Sequence, residues 1–231
     1  MANLPCGHER MSAVMMDQFW AAAWYGVILL AIGAFHVGIP QDIKHEWMII
    51  PDQPTTIITH AVSSMFMHHT NEHWQANLTC LVALAFPSLL LGTRVLILVT
   101  AMAVVANIVA SSFQSLTNVS GSASCGASVL VYALIGCCLW TLVIRPPPRW
   151  TLILRFGLGV QVGLVLLMGL LLNPWSLIPS DMSVTGINWI AHWSGLIGGI
   201  FVGTVAVRYR PFLLTPFLHV WWSRPLSSCR N

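Results

Sequence analysis

The chain has 231 residues, of which 56% are hydrophobic and 7% are charged, and its formal net charge is +3. A soluble domain carries about 25% charged residues, so this composition excludes an ordinary soluble protein and predicts an integral membrane protein. The long, unbroken apolar runs favour transmembrane helices over the alternating pattern of a membrane β-barrel.

Six apolar runs predict membrane-spanning helices, in the order 19–39, 74–93, 95–113, 126–144, 155–173 and 187–207. The first run lacks a clear small-residue cleavage site, so it is interpreted as a retained helix and not as a signal peptide. The six cysteines show no paired spacing, so we predict no disulfide framework and no redox motif. The predicted organisation is an N-terminal segment (1–18), one six-helix all-α membrane domain (19–208) and a C-terminal tail (209–231).

The basic residues are divided unequally between the two sides of the membrane that these spans define. One side has Lys44 alone. The other side has nine arginines: Arg10, Arg94, Arg145, Arg149, Arg155, Arg208, Arg210, Arg224 and Arg230. Positive charge marks the cytoplasmic side, so both termini are predicted to be cytoplasmic. The net positive charge then reflects membrane topology, and no nucleic-acid partner is predicted.

Polar residues are concentrated where the second span begins, in the stretch HHTNEHWQANL that starts at residue 68. His73 and Asn77 are four residues apart and share one helical face near the outer end of this span. Ser128 opens the fourth span, and His192 lies about one and a half turns into the sixth span on the same side. Strongly polar groups at that depth avoid lipid and face the bundle interior or a water-filled cavity. We therefore expect these four side chains to meet.

Stripes of residues predict how the fourth and sixth spans pack. Gly195 and Gly199 follow His192 along one face of the sixth span, and such small-residue ridges let two backbones approach closely. Ser128 and Tyr132 form a stripe on the fourth span. If these stripes face each other, Ser128 lies against His192, and a serine that contacts an imidazole is an activated nucleophile.

Further polar groups near this pair predict stabilisation of an acyl-transfer reaction. His73 and Asn77 would point donors at the oxyanion of the acyl intermediate, each contributing about 3 kcal/mol of transition-state stabilisation. The backbone N–H of Ser128, at a helix start, would add another donor. Asn188, one turn before His192, is predicted to cap the sixth span and not to act in catalysis.

A metal site is the main alternative for the histidine-rich stretch. His69, Glu72 and His73 fit the H-x-x-E-H pattern of an inverted zinc peptidase. Zinc needs a third protein ligand, which Asp181 or His192 would have to supply. That scheme leaves the serine of the fourth span unexplained, so we predict neither a metal nor any other cofactor. A transporter is disfavoured because the sequence shows no inverted repeat.

Three motifs in chain order resemble those of the rhomboid intramembrane serine proteases. His68, His73 and Asn77 match the His-x4-His-x3-Asn motif at the start of that family's second helix. Gly126 and Ser128 match the Gly-x-Ser motif that opens its fourth helix. The Ala-His-x-x-Gly-x-x-x-Gly motif of its sixth helix is matched by Ala191, His192, Gly195 and Gly199. The resemblance covers roughly residues 20–208.

The resemblance implies a rhomboid-like bundle with a Ser–His dyad that needs no carboxylate, Ser128 as the nucleophile and His192 as the base. It implies that the oxyanion or the substrate is stabilised by His68, His73, Asn77 and Gly126. The supporting residues that it implies are Tyr132, stacked under the base, and Gly195 and Gly199. The implied partners are the lipid bilayer and transmembrane segments of other proteins, which are cleaved near the bilayer surface. The implied location is the plasma (inner) membrane, with the site toward its outer face.

One departure from that family's pattern keeps a second interpretation open. Val129 follows the serine, where the family usually has a glycine. We expect the bulkier side chain to crowd the contact between the fourth and sixth spans or to alter the oxyanion loop. The alternative function is therefore an inactive rhomboid-like protein that binds membrane clients.

Overall fold

The computed structural model describes residues 7–117, 124–145, 152–172, 177–179 and 188–209. Within these ranges the chain is mostly helical, and an isolated antiparallel bridge joins Ile49 to Ser124. The α-helices are α1 (Gly7–Gly38), α2 (Gln41–Lys44), α3 (Pro54–Thr59), α4 (Asn71–Leu91), α5 (Thr93–Thr117), α6 (Ser128–Cys138), α7 (Leu152–Leu172) and α8 (Trp189–Arg208).

The six predicted spans correspond to α1, α4, α5, α6, α7 and α8, which confirms an all-α bundle. Among the described residues, five of these helices are long and apolar enough to cross a membrane, and α6 is shorter. The predicted first span, 19–39, agrees with the apolar part of α1, Met15–Gly38, while the helix itself extends back to Gly7. The charged residues near the N-terminus end the apolar run, but they do not end the helix.

The central helix, α6, packs against α4, α5 and α8. It is α-helical to Cys138 and continues as a π-helix from Leu139 to Ile144, so that 17 residues are helical. Such a helix covers about 25 Å, less than the roughly 30 Å of a hydrocarbon core. Every residue from Val129 to Cys138 is buried, because α4, α5 and α8 surround it. A helix with no lipid-facing side does not need the full length of a span, so Ser128 can begin it below the ends of its neighbours.

The packing of α6 against α8 brings two backbones into contact. A Cβ atom added at Gly195 would lie 2.5 Å from the carbonyl oxygen of Val129, and one at Gly199 would overlap the carbonyl of Ala133. Gly136 of α6 lies equally close to the backbone of α8. Only residues without a side chain fit at these points, which confirms the predicted close approach. The glycines of α8 contact the helical face of α6 that contains Val129 and Ala133. The predicted contact face began at Ser128, so the observed face is displaced by one residue.

Val129, which was expected to crowd this contact, is accommodated within it. Its side chain is buried, and its Cγ1 atom would stand 3.3 Å from a Cβ atom at Gly195. The valine fits because residue 195 has no side chain. The facing helix therefore accommodates the valine that stands in place of the expected glycine.

Candidate active site

Ser128 and His192 meet where α6 and α8 begin. The Oγ atom of Ser128 lies 2.9 Å from Nε2 of His192, which is hydrogen-bonding distance. Ser128 is half-buried as the first residue of α6, whereas His192 is buried in the second turn of α8. A serine hydroxyl that donates to Nε2 requires the imidazole tautomer whose proton is on Nδ1. The pair therefore has the geometry in which an imidazole can accept a hydroxyl proton.

Tyr132, one turn after Ser128 on α6, fixes the plane of the imidazole. Its ring stacks on that of His192 with centroids 4.6 Å apart and planes inclined by 25°. Offset stacking of this kind restricts rotation of the histidine about its side-chain bonds. The predicted placement of Tyr132 under the base is present in the structure.

Gly126 brings the segment before Ser128 against the predicted oxyanion donors. Its φ angle is +105°, a conformation that favours glycine. A Cβ atom there would lie 2.6 Å from Cε1 of His73 and 3.2 Å from Nδ2 of Asn77. Residue 126 must therefore be glycine for two reasons, its backbone angle and its neighbours. The structure thus places His73 and Asn77 within contact of the backbone just before Ser128.

His68 lies behind these donors and is fully buried. Its Nδ1–H donates to the carbonyl of Phe66 (3.2 Å), and its Nε2 accepts from Asn77 Nδ2 (3.1 Å) and from the N–H of Ala127 (3.4 Å). Burial lowers the pKa of His68 to about 3, so the ring stays neutral at physiological pH. Neither ring nitrogen has a hydrogen left for an oxyanion. The geometry thus gives His68 an orienting position, behind the amide of Asn77.

The start of α4 does not assemble the zinc ligands that the alternative interpretation needs. Thr70 caps the helix by accepting the N–H of His73 (3.1 Å), so His69 precedes the helix and does not share a helical turn with His73. Among the described residues, no three His, Cys, Asp or Glu side chains lie where they could hold one metal ion. Asp181, the other suggested ligand, lies outside the described residues.

The sequence analysis missed two sets of polar residues, one beside the start of α4 and one on α5. On the α1 side, His36 Nε2–H donates to Asn71 Oδ1 (2.9 Å), while Lys44 Nζ donates to His36 Nδ1 (3.4 Å). The second set, on α5, includes Asn107 and Gln114, which are both buried. Seven residues separate these two, so they share one helical face, and that spacing within an apolar run was the signal that could have revealed them.

The fold and these contacts define a helical membrane bundle with a partly buried serine–imidazole pair. The family model of the rhomboid domain matches residues 54–209, which is more than half of the chain and includes every predicted site residue. The chain therefore belongs to the rhomboid family, whose members are intramembrane serine proteases or inactive relatives, and it is an integral, multi-pass membrane protein. Comparisons with curated proteins and with solved structures give no match.

Proposed function

We propose that this rhomboid protein is an intramembrane serine endopeptidase with Ser128 as the nucleophile and His192 as the general base. The observation that carries the proposal is the 2.9 Å contact between Ser128 Oγ and His192 Nε2. Strongly polar groups inside a membrane bundle are costly to keep, so their meeting favours a functional role.

In the first half of the reaction, His192 Nε2 takes the hydroxyl proton as Ser128 Oγ attacks the scissile carbonyl carbon. The resulting imidazolium then protonates the leaving amine, which leaves an acyl ester on Ser128. In the second half, His192 deprotonates a water molecule that attacks the ester, and the returned proton regenerates the serine. Tyr132 keeps the imidazole plane fixed through both proton transfers.

The negative charge of the tetrahedral intermediate needs donors beside Ser128. The side chains of His73 and Asn77 supply them, together with the backbone N–H of Ser128 at the N-terminus of α6. His68 orients the Asn77 amide by accepting one of its hydrogens, which leaves the other available to the oxyanion. Gly126 leaves the space in which these donors approach.

The substrates are transmembrane segments of other proteins. Because a helical peptide bond is shielded by its own turns, a substrate must unwind before Ser128 can reach it, so small or helix-weakening residues are expected near the cut. The nine-to-one distribution of basic residues favours cytoplasmic termini and a site toward the outer face of a plasma (inner) membrane. The short central helix then begins below the outer surface, where water from that side can reach the acyl ester.

Cleavage of a co-expressed membrane reporter tests this proposal. The reporter carries one transmembrane segment with glycine, alanine and serine near its outer end. Ser128→Ala and His192→Ala should each abolish cleavage at unchanged expression, whereas Ser88→Ala, which alters another buried serine, should retain it. Cleavage that survives Ser128→Ala and stops with a zinc chelator would favour a metallopeptidase. A wild type that cuts no reporter and co-purifies with membrane clients would favour the inactive relative.

A further inference from the structure

A series of hydrogen bonds separate from the serine–histidine pair connects the start of α8 to the segment before α6. Asn188 donates from Nδ2 to Gln114 Oε1 (3.1 Å) and to Ser124 Oγ (3.3 Å). Ser124 Oγ donates to Asn107 Oδ1 (3.3 Å), and Asn107 Nδ2 donates to Ser64 Oγ (2.9 Å). Each donor in this series therefore has an acceptor. The bonds connect α8 to α5 and to residue 124, and from there to the loop before α4.

Asn188 also organises the first turn of the helix that carries the base. Its Oδ1 accepts the N–H of Ala191 (3.0 Å), which confirms the predicted cap, and its carbonyl oxygen accepts the N–H of His192 (3.3 Å). A cap needs only an acceptor, and serine caps a helix about as well as asparagine. The two N–H donors of the Asn188 amide are therefore more than capping requires.

The segment at the other end of these bonds is held equally firmly. Ser124 and Ile49 exchange two backbone hydrogen bonds of 2.8 Å and 3.2 Å. The N–H of Gly126 donates to the carbonyl of Ser64 (2.8 Å), two residues before Ser128 begins α6. A shift of residue 124 would therefore be transmitted to the nucleophile.

We propose that Asn188 is a positioning residue for the reaction. Its amide donors fix the start of α8 relative to residue 124, and so set the distance between Ser128 Oγ and His192 Nε2. The glycine contacts between α6 and α8 hold the two helices together lower down, whereas the Asn188 amide acts at the level of the reacting atoms. This role rests on the proposed function, because it concerns the alignment of that reaction.

Two substitutions separate this role from simple capping. Asn188→Ser keeps a capping oxygen but is too short to reach Gln114 or Ser124. Asn188→Ala removes both the cap and the amide donors. Ser124→Ala removes one partner and leaves the cap intact, and Thr204→Ala provides a matched control on the exposed side of α8.

The variants would be purified in detergent and assayed with a quenched fluorescent peptide that contains the reporter's transmembrane segment. We expect Asn188→Ser to lower kcat at least tenfold with KM within twofold, and to slow labelling of Ser128 by a fluorophosphonate by a similar factor. Ser124→Ala should act in the same direction. The double variant should be no worse than Asn188→Ser alone, because both changes break the same connection. Asn188→Ala should also lower the thermal unfolding midpoint, whereas Asn188→Ser should leave it near wild type.

Two results would overturn the inference in distinguishable ways. If the wild type is active and Ser128→Ala is not, but Asn188→Ser keeps the wild-type kcat, then Asn188 is only a cap and the proposed function stands. Additive losses in the double variant would show that Asn188 does not act through residue 124, which would also overturn the inference while the proposed function stands. If the wild type neither cleaves the peptide nor reacts with the fluorophosphonate, the proposed function fails, and this role fails with it.

Discussion

The glycines of α8 and of α7 have opposite surroundings. This difference separates a fixed region, which is built around the contact between α6 and α8, from a peripheral region, which is α7. In α8, Gly199 is pressed against the backbone of α6, whereas Gly157 and Gly163 of α7 have no atom within 4 Å of where a Cβ would stand. In the most apolar stretch of α8, half of the residues are buried, compared with 18% in the corresponding stretch of α7. The alignment of the serine and the histidine therefore depends on the α6–α8 contact and not on α7.

The contacts of α7 are mainly with α4 and with the π-helical end of α6, at the opposite end of that helix from Ser128. Its Gln161 donates to the carbonyl of Ala83 on α4 (2.7 Å), and other contacts join it to the π-helical end of α6. The hydroxyl of Tyr132 lies on the side of α6 that faces α7, 3.5 Å from a Cβ atom built at Gly169. The predictions below test this division, beginning with the largest expected effect.

Adding one methyl group to each region gives the sharpest contrast. Gly199→Ala should lower the free energy of unfolding by roughly 3 kcal/mol and abolish cleavage, because the new Cβ overlaps the Ala133 carbonyl and forces α6 and α8 apart. Gly163→Ala should be neutral or slightly stabilising, since alanine is the better helix former and the space is open. Denaturation of both variants in detergent, with cleavage assays, measures this; equal losses would show that the division is wrong.

Truncation of the stacked ring should have the next largest effect. Tyr132→Ala should lower kcat about tenfold, the equivalent of about 1.4 kcal/mol, because His192 loses the ring that fixes its plane. Tyr132→Phe should retain most of the activity, since the stacking remains. If steady-state assays find Phe as damaging as Ala, the hydroxyl on the α7 side matters more than the ring.

The loop before α4 belongs to the fixed region, and its buried histidine gives that region a pH dependence. The pKa of His68 is lowered to about 3 in the folded protein, against about 6.5 in an unfolded chain. Between these values the unfolded chain binds a proton that the folded protein does not, so stability is lost as pH falls below 6.5, at up to about 1.4 kcal/mol per pH unit.

His68→Gln isolates this contribution, because glutamine can accept from Asn77 and donate to Phe66 without titrating. Unfolding free energies measured from pH 7 to 5 should fall more steeply for the wild type than for this variant. Parallel curves would mean that His68 is protonated as readily in the folded protein as in the unfolded chain. The other histidines are present in both proteins, so their contributions cancel in the comparison.

The smallest effect is expected on the peripheral side. Gln161→Leu removes the hydrogen bond to Ala83 and should cost about 0.6 kcal/mol, a typical value for such a bond between membrane helices. Labelling of Ser128 by a fluorophosphonate should stay within twofold of the wild type. A tenfold loss of labelling would show that α7 does hold the reacting pair in place.

The sequence predicted the pairing of Ser128 with His192 because helical period, depth and a glycine ridge are local properties that can be read along the chain. The bond from Asn188 to Gln114 could not be predicted in this way, since 74 residues separate them and their meeting depends on how α5 and α8 cross. The positive φ of Gly126 likewise follows from the close approach of α4. The extension of α1 back to Gly7 lies outside the predicted span because hydropathy marks the lipid-facing length of a helix and not its hydrogen-bonded ends.

The most direct measurement is the rate at which a fluorophosphonate labels Ser128 in the intact protein, identified by mass spectrometry of the modified peptide. The account predicts labelling of Ser128 in the wild type and a rate below about one hundredth of it in His192→Ala, because the imidazole activates the hydroxyl. Equal rates in the two proteins, or no labelling of Ser128 in either, would contradict the account.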